Sequence, residues 1–297
     1  MADNFKERFS QAVKETETVV YSYLPEETGH QKTIFEAMNY SVKAGGKRLR
    51  PLLMREVYRL FGGNGPEIEP FMAAMEMIHT SSLIHDDLPC MDNDEYRRGK
   101  LTTWKAYGYD MAVLAGDALM IYAFETASKA FSMGADPAKV GRAIGILAEK
   151  TGIYGMIGGQ TVDVELTGKA VPREKLDFIY RLKTGALLEA SMMIGAVLAG
   201  ATEDELKQVE MIASDIGLAF QIQDDLLDIL GDSAVLGKPV CSDEENGKVT
   251  YVTVHGLEES KKDVAEISRR AVTRLDQLPY KNEFLDELIL ELINRNK

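Results

Sequence analysis

The stretch HDDLPCMDNDEYRRGK, residues 85–100, crowds Asp86, Asp87, Asp92, Asp94 and Glu95 together and follows them with Arg97, Arg98 and Lys100. Acids this dense form either a solvated face or a site that gathers cations. Hard ions such as Mg²⁺ take carboxylate and phosphate oxygen, and the bases behind the acids would suit an anion. A second acidic set, Asp224, Asp225 and Asp228, lies in MIASDIGLAFQIQDDLLDIL, residues 211–230, which is apolar on nearly every side. Burying those carboxylates uncompensated is costly, so they are expected to meet a metal, a base or a water-filled cavity. Asp224 and Asp228 are one helical turn apart on one face, with Gln221 a turn before. Asp86 and Asp92 are six apart, on different faces of a regular helix. Pro89 predicts that the helix loosens there and returns Asp92 to the side of Asp86.

A third cluster, AGGKRLRP at residues 44–51, puts two glycines before Lys47, Arg48 and Arg50, with Pro51 in the first turn of a following helix. Amides at a helix start and basic side chains make a phosphate site. His79, Arg97 and Arg98 are further candidate donors flanking the first acids. Plainer readings stand beside these. Either acidic set alone is as readily a surface face, and His79 alone a core histidine. Thr184 and Gln221 would pass for buried residues satisfied by backbone, and Lys183 and Lys238 for surface lysines. Two acidic sets together, one on a helix without a polar face, favour the site. A di-iron carboxylate bundle needs two inward E-x-x-H pairs on helices; Glu76–His79 is one, whereas the other match, Glu27–His30, falls between the helical segments 5–24 and 31–43.

The elements carrying these residues read as helices. Apolar residues recur at three- and four-residue steps from Glu67 to Leu88. They do so again over residues 5–24, 31–43, 49–61, 107–132, 137–157, 173–199, 204–231, 258–275 and 283–294. YVTVHG, residues 251–256, is the nearest approach to a strand. No Pro- or Ser-rich linker and no fixed-period repeat interrupts the pattern, so residues 1–297 are expected to form one all-α domain. A formal charge of −13 argues against a nucleic-acid surface, and 45% hydrophobic residues argue for a substantial core. Cys90 and Cys241 are too few for a disulfide framework. The charged N-terminus lacks an apolar signal core, and no run is expected to reach membrane-spanning length. A cytoplasmic protein is the expectation.

In order along the chain, GGKRLRP, DDLPCMD followed by RRGK, KTGALLEAS at 183–191, FQIQDDLLD at 220–228 and LGK at 236–238 resemble the trans-prenyl diphosphate synthases. The likeness is to bacterial short-chain enzymes that make farnesyl or geranylgeranyl diphosphate, and it runs from about residue 30 to 256. It implies an isoprenoid synthase fold: an all-α bundle of about ten or more helices around a deep central cavity, usually a homodimer. It also implies two Asp motifs facing across the cavity mouth and three Mg²⁺ per active site. By resemblance, Asp86, Asp92, Asp224 and Asp228 are the metal ligands and Asp87 supports them. Arg97, Lys183, Lys238 and Lys248 would neutralise an allylic diphosphate. Gly46, Lys47, Arg50, His79 and Arg98 would hold isopentenyl diphosphate. Thr184 and Gln221 would turn oxygens toward the allylic cation. The rivals are a class I terpene cyclase, which would not need the isopentenyl site, and a non-catalytic partner subunit, expected to have lost an Asp motif.

Two departures stand out. Cys241 replaces a glycine that many relatives carry in the loop after Lys238. Ser81, five before Asp86, stands where farnesyl-forming relatives place Tyr or Phe as a floor to the tail pocket. Ser81 and Ser82 are small, and Met77 and Ile78 lie about 5–6 Å deeper on the same faces. That tilts the expected product from C15 toward C20.

Overall fold

The computed structural model describes residues 2–169, 171–230 and 249–293; Lys238, Cys241 and Lys248 lie outside them. The described chain is all-α apart from one minimal hairpin. Its contacts group into two compact units, residues 1–145 and 146–297.

The first unit is built on α1 (Ala2–Ser22), α2 (Lys32–Val42), α3 (Leu49–Leu60), α4 (Glu69–Asp86), α5 (Thr103–Tyr107) and α6 (Tyr109–Ser128). Helix α4 packs against α6 and also touches α1, α2 and α3. Every residue from Pro70 to Ile78 is buried, and Pro70 sits at the helix start, where its missing N–H costs nothing. Phe71, Met75, Met77 and Ile78 are fully buried, each contributing about 1.5–3 kcal/mol of apolar burial. After α4, β1 (Tyr96–Arg97) pairs antiparallel with β2 (Lys100–Leu101). Arg98 and Gly99 between them have φ of 54° and 76°. Two positive-φ residues make a primed hairpin turn. Strands of two residues leave no alternation to detect, so periodicity misses them.

Helix α7 (Pro137–Thr151) crosses the boundary between the units. The second unit continues with α8 (Met156–Leu166), α9 (Arg173–Ile179), a π-helical turn (Tyr180–Gly185), α10 (Ala186–Ala199) and α11 (Glu203–Leu230). It closes with α12 (Tyr251–His255), α13 (Leu257–Gln277) and α14 (Glu283–Ile293). Helix α11 packs along α10 and α13. Asp215 on α11 takes Arg270 from α13 through both guanidinium arms at 2.9 and 2.5 Å.

Three expectations need correcting, and the stretch nearest to a strand is helical. The helix expected over 137–157 stops at Thr151, and a new one starts at Met156. A Cβ on Gly155 would stand 2.0 Å from the Lys150 carbonyl oxygen, so the turn between them needs glycine there. YVTVHG is helical, started by a Thr250–Thr253 capping box that overrides its β-branched residues. The 173–199 helix carries the π-helical turn within it. Finally, helical stretches Tyr109–Met133 and Arg173–Ala199 are long and apolar enough to span a bilayer. The second is mostly buried, and its α10 part lies against α11. The first keeps an exposed apolar edge at Leu114 and Ile121.

Candidate active site

Helix α4 ends at Asp86. Pro89 has no N–H to continue the ladder, and the next amides turn back instead. Met91 and Asn93 donate to the Leu88 carbonyl, and Asp92 donates to the Asp86 carbonyl at 2.9 Å. Six residues of separation are thereby folded into one loop, with Asn93 at φ 57°. Asp87 is buried. It accepts from Arg97 Nε at 2.7 Å and Nη2 at 2.5 Å, which anchors the hairpin to the end of α4. Burial pushes the Asp87 carboxyl up, and the Arg97 pair opposes that shift.

The bases gather from α3 and the hairpin around His79 of α4. Gly45 and Gly46 have φ of 90° and 135°. A Cβ on Gly46 would lie 2.8 Å from the Arg98 guanidinium carbon. Bare backbone there lets Arg98 donate to the Gly45 carbonyl. Lys47 is exposed. Arg50 Nη1 approaches His79 Nε2 at 3.4 Å, and among the described residues Arg50 Nε is buried without a partner. Burial, then the neighbouring Arg98, lowers Arg50 to about 10. Burial, then Arg50, Arg98, Arg97 and Arg48, holds His79 well below the ordinary imidazole range. Like charges held together with an unspent donor are what an anion would relieve. Arg48 does not join them. It turns inward to Glu76 at 2.7 Å, which also occupies the acid of the Glu76–His79 pair.

In the second unit, Thr184 Oγ1 donates to Gln221 Oε1 at 3.0 Å, tying the π-helical turn to α11. The two satisfy each other rather than the backbone. Lys183 pairs with Asp163 on α8 at 2.6 Å. A Cβ on Gly159, one turn before Asp163, would meet the Lys183 amide at 2.3 Å. Asp163 was missed from sequence; its signal is GGQTVDVE, where glycine and acid one turn apart prepare a close crossing. Asp224 is half-buried, while Asp225 and Asp228 are buried. Asp225 accepts from Tyr180 Oη at 2.5 Å and the Tyr251 amide at 2.7 Å. A phenol and an amide thus meet this buried acid.

Ser81, Met77 and Ile78 are fully buried on α4, and Ser82 donates to the His79 carbonyl. A cavity of about 610 Å³ in the first unit is lined by His30, Leu114, Asp117 and Ile121, among others, and by none of the residues assigned to chemistry.

The residues fit Mg²⁺. Among the described residues no three acids, imidazoles or thiols form a cage of their own. Mg²⁺ is ordinarily held by one or two carboxylates and completed by substrate phosphates and water, and carboxylate loops beside a cationic cluster suit that division.

The Polyprenyl synthetase family pattern matches residues 31–283. The chain belongs to that family. Its members are prenyltransferases of the all-α isoprenoid synthase fold. The chain is 47% identical over 244 residues to a chloroplastic geranylgeranyl pyrophosphate synthase of Capsicum annuum, covering 82% of this chain and 66% of that one. It thus spans about two thirds of that relative's length. It is 42% identical to a farnesyl diphosphate synthase of Geobacillus stearothermophilus, covering 89% of each. Among solved structures, a Helicobacter pylori geranyltransferase complexed with magnesium and isoprenyl diphosphate superposes with a TM-score of 0.82. It is 30% identical, with 97% of this chain and 96% of that one covered.

Proposed function

We propose that this polyprenyl synthetase elongates an allylic diphosphate by one or more isopentenyl units, 1′-4 and head to tail. The observation that carries the reading is the cationic cluster of Arg50, Arg97 and Arg98 around His79 of α4, with a carboxylate loop at the end of that helix. His79 and Asp86 are seven residues apart on α4, about 10 Å along its axis. Lys47, Arg50, His79 and Arg98, with Gly46 leaving room, bind isopentenyl diphosphate. Asp86, Asp92, Asp224 and Asp228 hold Mg²⁺, three ions per active site by family resemblance, which when bound supplies positive charge to the departing pyrophosphate. Lys183, Arg97, Lys238 and Lys248 add to that charge. Thr184 and Gln221 present oxygens to the allylic cation, and the C4 alkene of isopentenyl diphosphate attacks it. Pyrophosphate leaves, and the adduct loses one proton. Water must be excluded, or it would capture the cation.

The family pattern crosses the boundary between the units, which supports one catalytic domain over the whole chain. The exposed apolar edge at Leu114 and Ile121, 53% and 69% exposed, supports pairing of two copies. A soluble, cytoplasmic setting is the accompanying reading. Dimethylallyl, geranyl and farnesyl diphosphates are the candidate primers, and C20 is favoured over C15 because Ser81 is small. The test is incubation of the purified chain with Mg²⁺, labelled isopentenyl diphosphate and each primer, followed by sizing of the products. Label in C15 or C20 chains is expected. Cyclic hydrocarbon without incorporation would mean a terpene cyclase, and no turnover of any primer a non-catalytic subunit.

A further inference from the structure

Arg48 stands between two bases of the cluster and serves neither as they do. Its backbone is left-handed, φ 50° and ψ 34°, a conformation rare for a residue with a side chain. Its side chain is wholly buried. Nη1 donates to Glu76 at 2.7 Å, Nε to Glu17 at 3.2 Å, and Nη2 to Tyr21 Oη at 3.0 Å and the Val42 carbonyl at 2.8 Å. One guanidinium thus stitches the GGKR turn to α1, to the end of α2 and to α4. Glu76 is buried three residues before His79, close enough to act on both Arg50 and Arg98. Left uncompensated, it would draw those bases inward and repel an incoming anion.

We propose that Arg48 is a positioning residue for the anion cluster: it clamps the Lys47–Arg50 turn against α4 and neutralises Glu76. The two effects leave the flanking bases fixed in place and available to a diphosphate. This rests on the reading that the cluster binds isopentenyl diphosphate, so Lys47→Ala is included as an arm that tests the reading by itself.

The experiment is steady-state kinetics on Arg48→Lys, Arg48→Met, Arg48→Met/Glu76→Gln and Lys47→Ala, with unfolding temperatures alongside. Arg48→Lys keeps a charge beside Glu76 but loses the fork, and it decides the matter should Arg48→Met fail to fold. The expected result is a KM for isopentenyl diphosphate raised about tenfold or more in either Arg48 variant. KM for the allylic primer and kcat should change by less than about threefold, and Glu76→Gln should restore part of the loss. A lower unfolding temperature with unchanged KM, or an equal rise in both KM values, overturns the proposal. If Lys47→Ala also leaves the KM for isopentenyl diphosphate unchanged, the assignment of the cluster fails and this inference fails with it.

Discussion

The amide of Asp92 is bonded to the carbonyl of Asp86, so the two carboxylates share one loop although their spacing would part them on a regular helix. The bond uses backbone alone, and Asp92→Asn should leave it intact while removing a charge. The expected outcome is a kcat lower by on the order of 10²–10³, the scale of losing one group that stabilises transition-state charge. The Mg²⁺ concentration for half-maximal rate should rise, with the unfolding temperature nearly unchanged. A loss below about tenfold, measured at saturating Mg²⁺, would remove Asp92 from the metal site.

His79 carries the pH dependence. An unfolded imidazole takes its proton near pH 6.5, whereas burial and the neighbouring arginines resist that proton in the folded chain. Stability from this group is therefore complete above about 6.5 and declines as pH falls below it toward the lower folded value. His79→Gln should flatten that decline. In proton NMR the imidazole should titrate below 6.5 in the free protein, and its midpoint should move up when pyrophosphate is added. An unmoved midpoint would mean that the anion binds elsewhere.

Ser81 tests size apart from hydrogen bonding. Its hydroxyl is fully buried with no partner among the described residues, so Ser81→Ala should be neutral or stabilising by about 1 kcal/mol and leave product length alone. Ser81→Tyr should shorten the product by one isoprene unit, with an overpacking cost of about 1–3 kcal/mol. Product sizing beside thermal unfolding separates the two effects. Unchanged chain length in a folded Ser81→Tyr variant takes this residue off the pocket floor.

Asp225 should behave as an acceptor rather than as a charge. Its carboxylate joins Tyr180, where the π-helical turn begins, to the amide of Tyr251. Asp225→Asn keeps an oxygen for these donors and should cost less than about 1 kcal/mol. Asp225→Ala removes that acceptor, leaving the Tyr251 amide the longer bond to Tyr180 Oη at 3.1 Å, and should cost about 1–3 kcal/mol, with a lower kcat as Lys183 and Thr184 lose their setting. Equal damage from both variants in denaturant titration would argue that the negative charge itself is needed.

What could be read in advance was what one side chain declares against its surroundings. Asp224 to Asp228 announced themselves because charge on an apolar helix is a conflict that needs a partner. The long helices were legible because burial imposes their period. Features fixed by backbone geometry were not. The Arg98–Gly99 turn, the break at Gly155 and the π-helical turn depend on φ angles and close approaches that leave no periodic trace. The roles of Arg48, Asp163 and Asp225 were hidden for a different reason. Each is set by a partner distant in the chain: Glu76 for Arg48, Lys183 for Asp163, and Tyr180 and Tyr251 for Asp225.

Helix α4 is a single rod of 18 residues, about 27 Å long, and it carries Glu76, His79, Ser81 and Asp86 in that order. Sliding it by one turn would shift the counter-charge, the imidazole, the small buried hydroxyl and the first acid together by about 5 Å. None of them can be retuned by moving the helix without detuning the rest. On the proposed reading of Ser81, product length is then free to evolve through the bulk of side chains along the rod and its neighbours rather than through the position of the rod itself.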